Sequence, residues 1–461
     1  MTVLRRLWPA LALCLWSVAA LAQTAPGERR AGMIELDAEA MRRLAYQVLA
    51  AGDPVTALGY VEALLARDPG DAQALILRSQ AQRSLGQTGE ARKAARTAWV
   101  QADTERAKFG AAMVMAQALS TAGRRTGAQF WLRRAAQVAP TATAEDQARR
   151  DWRHVRSRNP WTFRFDLSVS PSSNVNGGSK QSRMQFYGFE VGLSGDAQAL
   201  SGGEVSTGFS ARYALPSKGR SQTDLSFSAM SREVWLSDAA KLQAPQARAA
   251  SYAFAAVEAA VRHTRSLKTR PYRFGLGMTA GHNWYGGRDM SDYMRLQADV
   301  ERSFGKRAGV QASLMGERQW RRDNPVRSAD VAVLTLGGAY VLGNKDKLSL
   351  VLTGRATRSA AAEIESDAVS ARLGWDKAAP LWGMTIGMGL SLGVKEFARS
   401  NYVRGGREDQ SLGLDLSVGF EKIDYMGFSP TLDLRANRNR SNVALYDSRD
   451  VGVMLGFRSN F

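Results

Sequence analysis

Two rhythms of apolar and polar positions divide the chain. From Ala38 to about residue 158, apolar side chains recur at helical spacing; from Asn159-Pro160 onward they alternate with polar ones at every second position. The first rhythm contains a repeat. Gly52, Gly86 and Gly123 stand 34 and 37 residues apart, each is followed five residues later by Ala57, Ala91 or Ala128, and twelve residues further come Pro69, Asp103 and Pro140. Glycine suits a tight turn, a small alanine lets two helices approach closely, and proline ends the second helix. The frame predicts three helix–turn–helix units, with Tyr46, Tyr60, Phe109 and Trp131 as aromatic anchors.

The second rhythm predicts strands. Leu225-Ser-Phe-Ser-Ala, Ile386-Gly-Met-Gly-Leu-Ser-Leu and Leu412-Gly-Leu-Asp-Leu-Ser-Val each carry one apolar and one small or polar face. Fifteen such segments run from about residue 161 to 461, the first two at 161–170 and 184–195. No stretch after residue 22 has the length and apolarity of a membrane helix, but a transmembrane β-barrel hides its lipid-facing residues in every second position. A bacterial single-chain barrel needs an even strand number. Tight turns such as Pro216-Ser-Lys-Gly and Gly305-Lys306 alternate with looser connections such as 236–247 and 398–407. Counting back with the short turns on the periplasmic side makes the strand near 184 the first and 447–461 the last. The expected fold is therefore an α + β multidomain chain: a helical-repeat domain at 38–158, a lead-in at 159–183, and a 14-stranded antiparallel transmembrane barrel at 184–461, with 16 strands as the alternative. A periplasmic β-sandwich is the soluble alternative.

The two ends add targeting signals. Arg5 and Arg6 precede an apolar run to Leu21, and Ala20-Leu21-Ala22 is a small-x-small cleavage site, so residues 1–22 read as a cleaved signal peptide and 23–37 as a flexible segment. At the other end Val453, Leu455, Phe457 and Phe461 form an amphipathic last strand with a terminal aromatic.

Charge then changes meaning. The 461 residues carry 62 Lys+Arg and 43 Asp+Glu, a formal +19 that would suit nucleic acid, an anionic membrane surface or an acidic substrate. Export from the cytoplasm argues against nucleic acid. The single Cys lies within the signal peptide, which leaves no disulfide framework and no thiolate metal site. The charge divides into a net +7 over residues 23–158 and +10 beyond them.

Candidate chemistry is sparse. His263 and His282 lie on strands with no second ligand at metal spacing, Gly275-x-Gly277 sits inside a strand, and no Gly-x-Ser-x-Gly elbow occurs. The reading is a non-enzyme without cofactor or metal. Four strands after looser loops open with Arg and then Asp: Arg288-Asp289, Arg327-x-x-Asp330, Arg407-x-Asp409 and Arg449-Asp450. On an inner wall these could form a luminal charge network or a substrate track.

Two resemblances follow from these residues. The Gly–Ala–Pro frame resembles the tetratricopeptide repeat, an array that binds segments of other proteins. Pro160-Trp161, then an alternating strand, then Ser173-Asn174-Val175-Asn176, together with Asp196-Ala-Gln-Ala-Leu-Ser-Gly202, resembles the threshold of the barrel in the surface lipoprotein assembly modifier family; Ser172 stands where that family often has Asp. The resemblance implies a Gram-negative outer-membrane translocator with its repeats in the periplasm. It would assist export or surface display of specific lipoproteins or secreted proteins, in contact with outer-membrane lipids, a client, a periplasmic chaperone and the barrel assembly machinery. It implies no catalytic residues. An exopolysaccharide export porin and a general porin with a repeat appendage are the alternatives. A client strand could pair at a seam between 184–195 and 447–461.

Overall fold

A computed structural model describes residues 36–186, 189–217, 219–423 and 425–459. The expected signal peptide, nearly all of 23–37, and Phe461 lie outside the described residues. Among the described residues the helical rhythm folds as α1 (Ala38–Ala50), α2 (Pro54–Arg67), α3 (Ala72–Ser84), α4 (Thr88–Gln101), α5 (Glu105–Thr121), α6 (Arg125–Gln137) and α7 (Ala142–Arg158).

Local chemistry sets the helix ends. The side chains of Asp37, Asp53, Asp71, Thr104 and Thr141 accept hydrogen bonds from first-turn N–H groups of α1, α2, α3, α5 and α7. The exits of α1, α3 and α5 share one geometry. Gly52, Gly86 and Gly123 take φ of +90°, +77° and +74°. The N–H that follows each returns to the carbonyl of Val48, Gln82 or Leu119, at 3.1, 2.8 and 2.9 Å. These are Schellman closures, which require the left-handed backbone that glycine adopts without a Cβ clash. Ala57, Ala91 and Ala128 are buried on the second helix of each pair, while Pro69, Asp103 and Pro140 follow the ends of α2, α4 and α6. Two apolar clusters share Ile76 and Trp99, so one core runs through the array.

Helix α7 leads straight into the sheet. Asn159 donates from Nδ2 to Thr126 Oγ1 at 3.1 Å and accepts from the Trp161 N–H at 3.2 Å. Arg156 Nη2 donates to Thr162 Oγ1 at 2.8 Å. Burial and the nearby Arg212 pull the Arg156 guanidinium below its ordinary pKa.

The strands are β1 (Trp161–Ser172), β2 (Arg183–Phe186), β3 (Phe189–Gly192), β4 (Gly202–Ala214), β5 (Ser221–Leu236), β6 (Phe254–Ser266), β7 (Tyr272–Tyr285), β8 (Arg288–Phe304), β9 (Ala308–Arg321), β10 (Ala329–Val341), β11 (Lys347–Ser359), β12 (Ser366–Asp376), β13 (Thr385–Phe397), β14 (Arg407–Gly419), β15 (Phe428–Ser441) and β16 (Ser448–Ser459). A short helix α8 (Asp238–Gln243) follows β5. β1 and β4–β16 close a fourteen-stranded barrel, every ladder antiparallel, with β1 paired to both β4 and β16. Among the described residues no helix is long and apolar enough to cross a membrane. The strands carry that role: Leu276, Leu296, Leu314, Leu352, Leu414 and Leu455 stand exposed on the outer face.

The strand count matches the expectation, but its first member differs. The segment expected as a lead-in, 159–183, supplies β1. The stretch expected as the first barrel strand, 184–195, forms the β2–β3 hairpin outside the barrel sheet. The reason is length. A spanning strand needs about 9–11 residues; β1 has 12, whereas β2 and β3 have 4 each. The seam between first and last strands therefore joins 161–172 to 448–459.

The barrel has two unlike ends. Short turns at 215–220, 267–271, 305–307, 342–346, 377–384 and 420–427 share the end where α7 enters. Arg133 of α6 donates from Nη1 to the Met426 carbonyl in one of them, at 3.2 Å. The two longest connections, 173–201 and 237–253, share the other end with the two-residue turn at 286–287 and connections of six to nine residues.

Candidate functional site

Among the described residues the β1–β16 ladder is the shortest of the ring: it registers five residue pairs, from Asp166↔Arg458 to Ser172↔Gly452, with a break at 170–171, whereas β1–β4 registers every position from 161 to 172. Pro171 accounts for the break. The Pro160 carbonyl accepts from Ala214 on β4 at 2.9 Å, so even positions of β1 bond to β4 and odd positions face β16. Position 171 would donate to β16, and proline has no N–H.

Above this joint lies a cap, residues 173–201. Its frame is built by the two asparagines of the family-like motif. Asn174 Nδ2 donates to the Gly178 carbonyl at 2.9 Å and its Oδ1 accepts from the Gly178 N–H at 2.8 Å. Asn176 Nδ2 donates to the carbonyls of Asp196 and Gln198 at 2.9 and 2.8 Å, and its Oδ1 accepts from Leu200 N–H at 2.9 Å. A Cβ on Gly178 would stand 2.3 Å from the Gln198 carbonyl oxygen, so only glycine lets the two arms close. Val175 and Leu200 are buried with Leu236, Ala240 and Ala244, which ties the cap to β5 and α8.

The other flank of the cap holds the β15–β16 loop. Ser179 Oγ donates to the Ala444 carbonyl at 2.6 Å, and Lys180 N–H donates to the Asp447 carbonyl at 2.8 Å. Asp447 is also bonded by Arg438 at 2.5 Å. Beyond it, Phe186 of the hairpin meets Tyr402 of the β13–β14 loop edge-on, with centroids 6.4 Å apart. The cap thus bridges loops on both sides of the seam. Pro160 and Trp161, the remaining motif residues, stand at the opposite end of β1, where Trp161 stacks on Phe163 and contacts Tyr213.

The lumen is polar and paired. Arg262 donates to both Asp299 oxygens at 2.7 and 2.8 Å, Arg295 to Glu317 at 2.7 Å, Tyr293 to Glu258 at 2.7 Å, and Arg372 to both Asp415 oxygens at 2.6 and 2.8 Å. Bidentate pairs of this kind fix side chains and neutralise both partners. Sequence reading missed them because the partners lie on different strands, 22 to 43 residues apart.

Of the four expected Arg/Asp pairs, one is bonded. Arg407 and Asp409 stand 3.3 Å apart on the inner wall. The Arg407 guanidinium carbon lies 3.6 Å from the ring centroids of both Phe397 and Tyr446. Burial, with a smaller contribution from Tyr402, pushes the Tyr446 phenol above its ordinary pKa. The other three pairs are corrected. Neighbouring residues on a strand face opposite sides, so Arg288/Asp289 and Arg449/Asp450 part company, and Arg327 lies in the 3-10 turn before β10 rather than on the strand that carries Asp330. Asp289 meets His282 at 3.2 Å, Asp330 pairs with Arg318 at 2.5 Å, Arg327 with Glu363 at 3.6 Å, and Asp450 accepts from Ser172 at 3.1 Å. Arg449 lies opposite Arg438.

His282 also meets Asp292 at 2.6 Å, and His263 meets Thr223 at 2.8 Å. Among the described residues no group of three or more His, Cys, Asp or Glu side chains is arranged to hold a metal ion. Val453, Leu455 and Phe457 of the last strand face outward and are exposed.

Residues 269–461, the barrel from the β6–β7 turn onward, match the model of the family described as surface lipoprotein assembly modifier. No curated protein matches the chain. Among solved structures, the chain is similar to OccAB3 of Acinetobacter baumannii at 9% identity, over 65% of this chain and 99% of that one, with a TM-score of 0.36. It is also similar to the type III secretion translocator chaperone SycD of Yersinia enterocolitica, at 16% identity over 28% and 91% of the two chains, with a TM-score of 0.24. The first TPR domain of human RPAP3 gives 14% identity over 26% and 93%, with a TM-score of 0.24. The family match and the closed barrel point to the outer membrane and support a role in surface lipoprotein assembly.

Proposed function

We propose, from the match of residues 269–461 to the surface lipoprotein assembly modifier family, that this chain is an outer-membrane translocator that assists surface display of client lipoproteins. In this reading the short-turn end and the helical repeats face the periplasm, and the cap faces the cell exterior. The repeats engage a client or its chaperone. The client leaves through the lumen or through the β1–β16 seam, once the cap has let go.

One observation carries the proposal: the ladder with the fewest pairs among the described residues, broken at Pro171, lies under a cap that clamps loops on both of its sides. A general porin gains nothing from such a clasp. Arg262, Arg295 and Arg372 of the lumen are each committed to a carboxylate, which leaves fewer free cations for the polysaccharide-export alternative.

The test is a lock. A Cβ placed on Gly456 would lie 3.5 Å from Ser168 Cβ, within the roughly 3.5–4.5 Å range of disulfides. Ser168→Cys with Gly456→Cys should therefore close the seam on oxidation. In a host labelled with a membrane-impermeant biotin reagent, the oxidised double variant is expected to lose labelled surface lipoproteins and reduction to restore them. Unchanged labelling under verified oxidation, in a strain where deletion of the gene abolishes it, would remove the seam from the mechanism. No dependence on the gene at all would remove the translocator reading.

A further inference from the structure

An apolar groove crosses the outer face of the barrel over the seam. It encloses about 730 Å³, inside the roughly 300–1,000 Å³ range of small-molecule sites. It begins at the short-turn end, where Ile423 and Tyr425 of the β14–β15 turn form a wall, passes Phe457 of β16 and Phe165 of β1, and ends at Trp284 near the opposite end of β7. The register explains its slant. Phe457, Leu167, Thr207, Ser231, Ala255 and Trp284 follow one another as pairing partners, or within a residue of them, across six strands. Phe457 stands near the short-turn end of its strand and Trp284 near the loop end of its own. The groove therefore climbs from one membrane face toward the other.

We propose that this groove is the track for the acyl chains of a client lipoprotein as its anchor moves between leaflets. The proposal rests on the translocator reading above. Three observations favour a client's chains over bulk phospholipid. The groove crosses the joint whose ladder is broken at Pro171, so a chain in it lies beside the seam. Its near end is continuous with the junction to the repeats: the turn that bears Ile423 and Tyr425 is the one whose Met426 carbonyl accepts from Arg133. Its slant joins the two leaflets. A second outer groove, of about 580 Å³ near Leu373, Met388 and Leu414, also touches β16 but has neither the seam nor the repeats at its edge, and serves as an internal control.

The experiment uses the full chain in phosphatidylethanolamine/phosphatidylglycerol nanodiscs, with a photoreactive benzoylphenylalanine at Phe209 in the first groove or at Met388 in the second. The probe is a synthetic triacylated, S-diacylglyceryl cysteinyl peptide. We expect labelling at Phe209 to exceed that at Met388 by about tenfold, equivalent to a tenfold affinity difference, and Ala229→Trp, which fills the groove, to abolish the excess. Heat-modifiable migration on gels verifies that each variant is folded, and Ala255→Phe replaces Ala229→Trp if the latter fails. Equal labelling at both positions, or equal labelling at Phe209 by a phosphatidylethanolamine bearing the same chain, would overturn the track. Because labelling needs no client secretion, a failed track leaves the display assay above untouched, and a failed display assay leaves the labelling result standing.

Discussion

Arg133 and Met426 are 293 residues apart in the chain and joined by a 3.2 Å hydrogen bond from guanidinium to carbonyl. Gly427 lies beneath the same guanidinium, where a Cβ would come within 2.1 Å of Nη1. The repeats are thus fastened to the barrel at the β14–β15 turn as well as through the α7–β1 junction. Hydrogen bonds from charged groups contribute about 1.5–3 kcal/mol, toward the low end at a partly exposed site. Arg133→Ala should leave both domains folded and widen the distance distribution between spin labels on α6 and the β12–β13 turn. An unchanged distribution would show that the α7–β1 junction holds the domain by itself.

Gly86 isolates the backbone contribution of the repeat frame. Its φ is +77° and an added Cβ would meet nothing within 4 Å. Gly86→Ala should therefore cost about 1–2 kcal/mol from the left-handed backbone alone, read as a lower thermal midpoint in helical circular dichroism with the β signal unchanged.

Leu200 is fully buried between the cap and β5. Leu200→Ala should weaken that anchor by about 2–5 kcal/mol. Hydrogen exchange at the cap amides of Val175 and Leu200 is expected to accelerate while barrel amides stay protected, and conductance in planar bilayers should rise if the cap closes the mouth.

Arg407 is held by two rings and a carboxylate, and its side chain is only 9% exposed. Arg407→Met should cost about 1.5–3 kcal/mol by removing the ion-pair partner of Asp409, with Lys395, its cross-strand neighbour, left as the remaining cation. Adding Asp409→Asn should recover most of that loss in urea unfolding from lipid, because the stranded charge goes with it.

Much of this architecture was legible in the chain. The Gly–Ala–Pro frame is legible because a Schellman closure selects glycine and a tight helix crossing selects alanine. The strand count is legible because a spanning strand must alternate for its whole length. What failed was choosing which segment to leave out. Trp161–Ser172 and 184–195 both alternate over equal lengths, and what separates them is that the first stays one continuous strand while the second folds back as the β2–β3 hairpin. The Arg/Asp couples differ in spacing: adjacent residues on a strand point apart, Arg327 sits in the turn before its strand, and only Arg407-x-Asp409 has the strand spacing that puts both on one face. The real luminal pairs depend on register between strands, which no local motif records.

Pro171 has one more consequence, for assembly. Ser172 and Asp450, bonded beside it, are 278 residues apart in the chain. Every other ladder joins segments that follow one another closely, except β1–β4 across the cap. The closing joint carries the largest loop-closure entropy of the ring and, with a donor missing, the least return in backbone bonding. It is the last to form and the first to yield. The ring therefore cannot close on β1 until the C-terminal strand of the chain has been made.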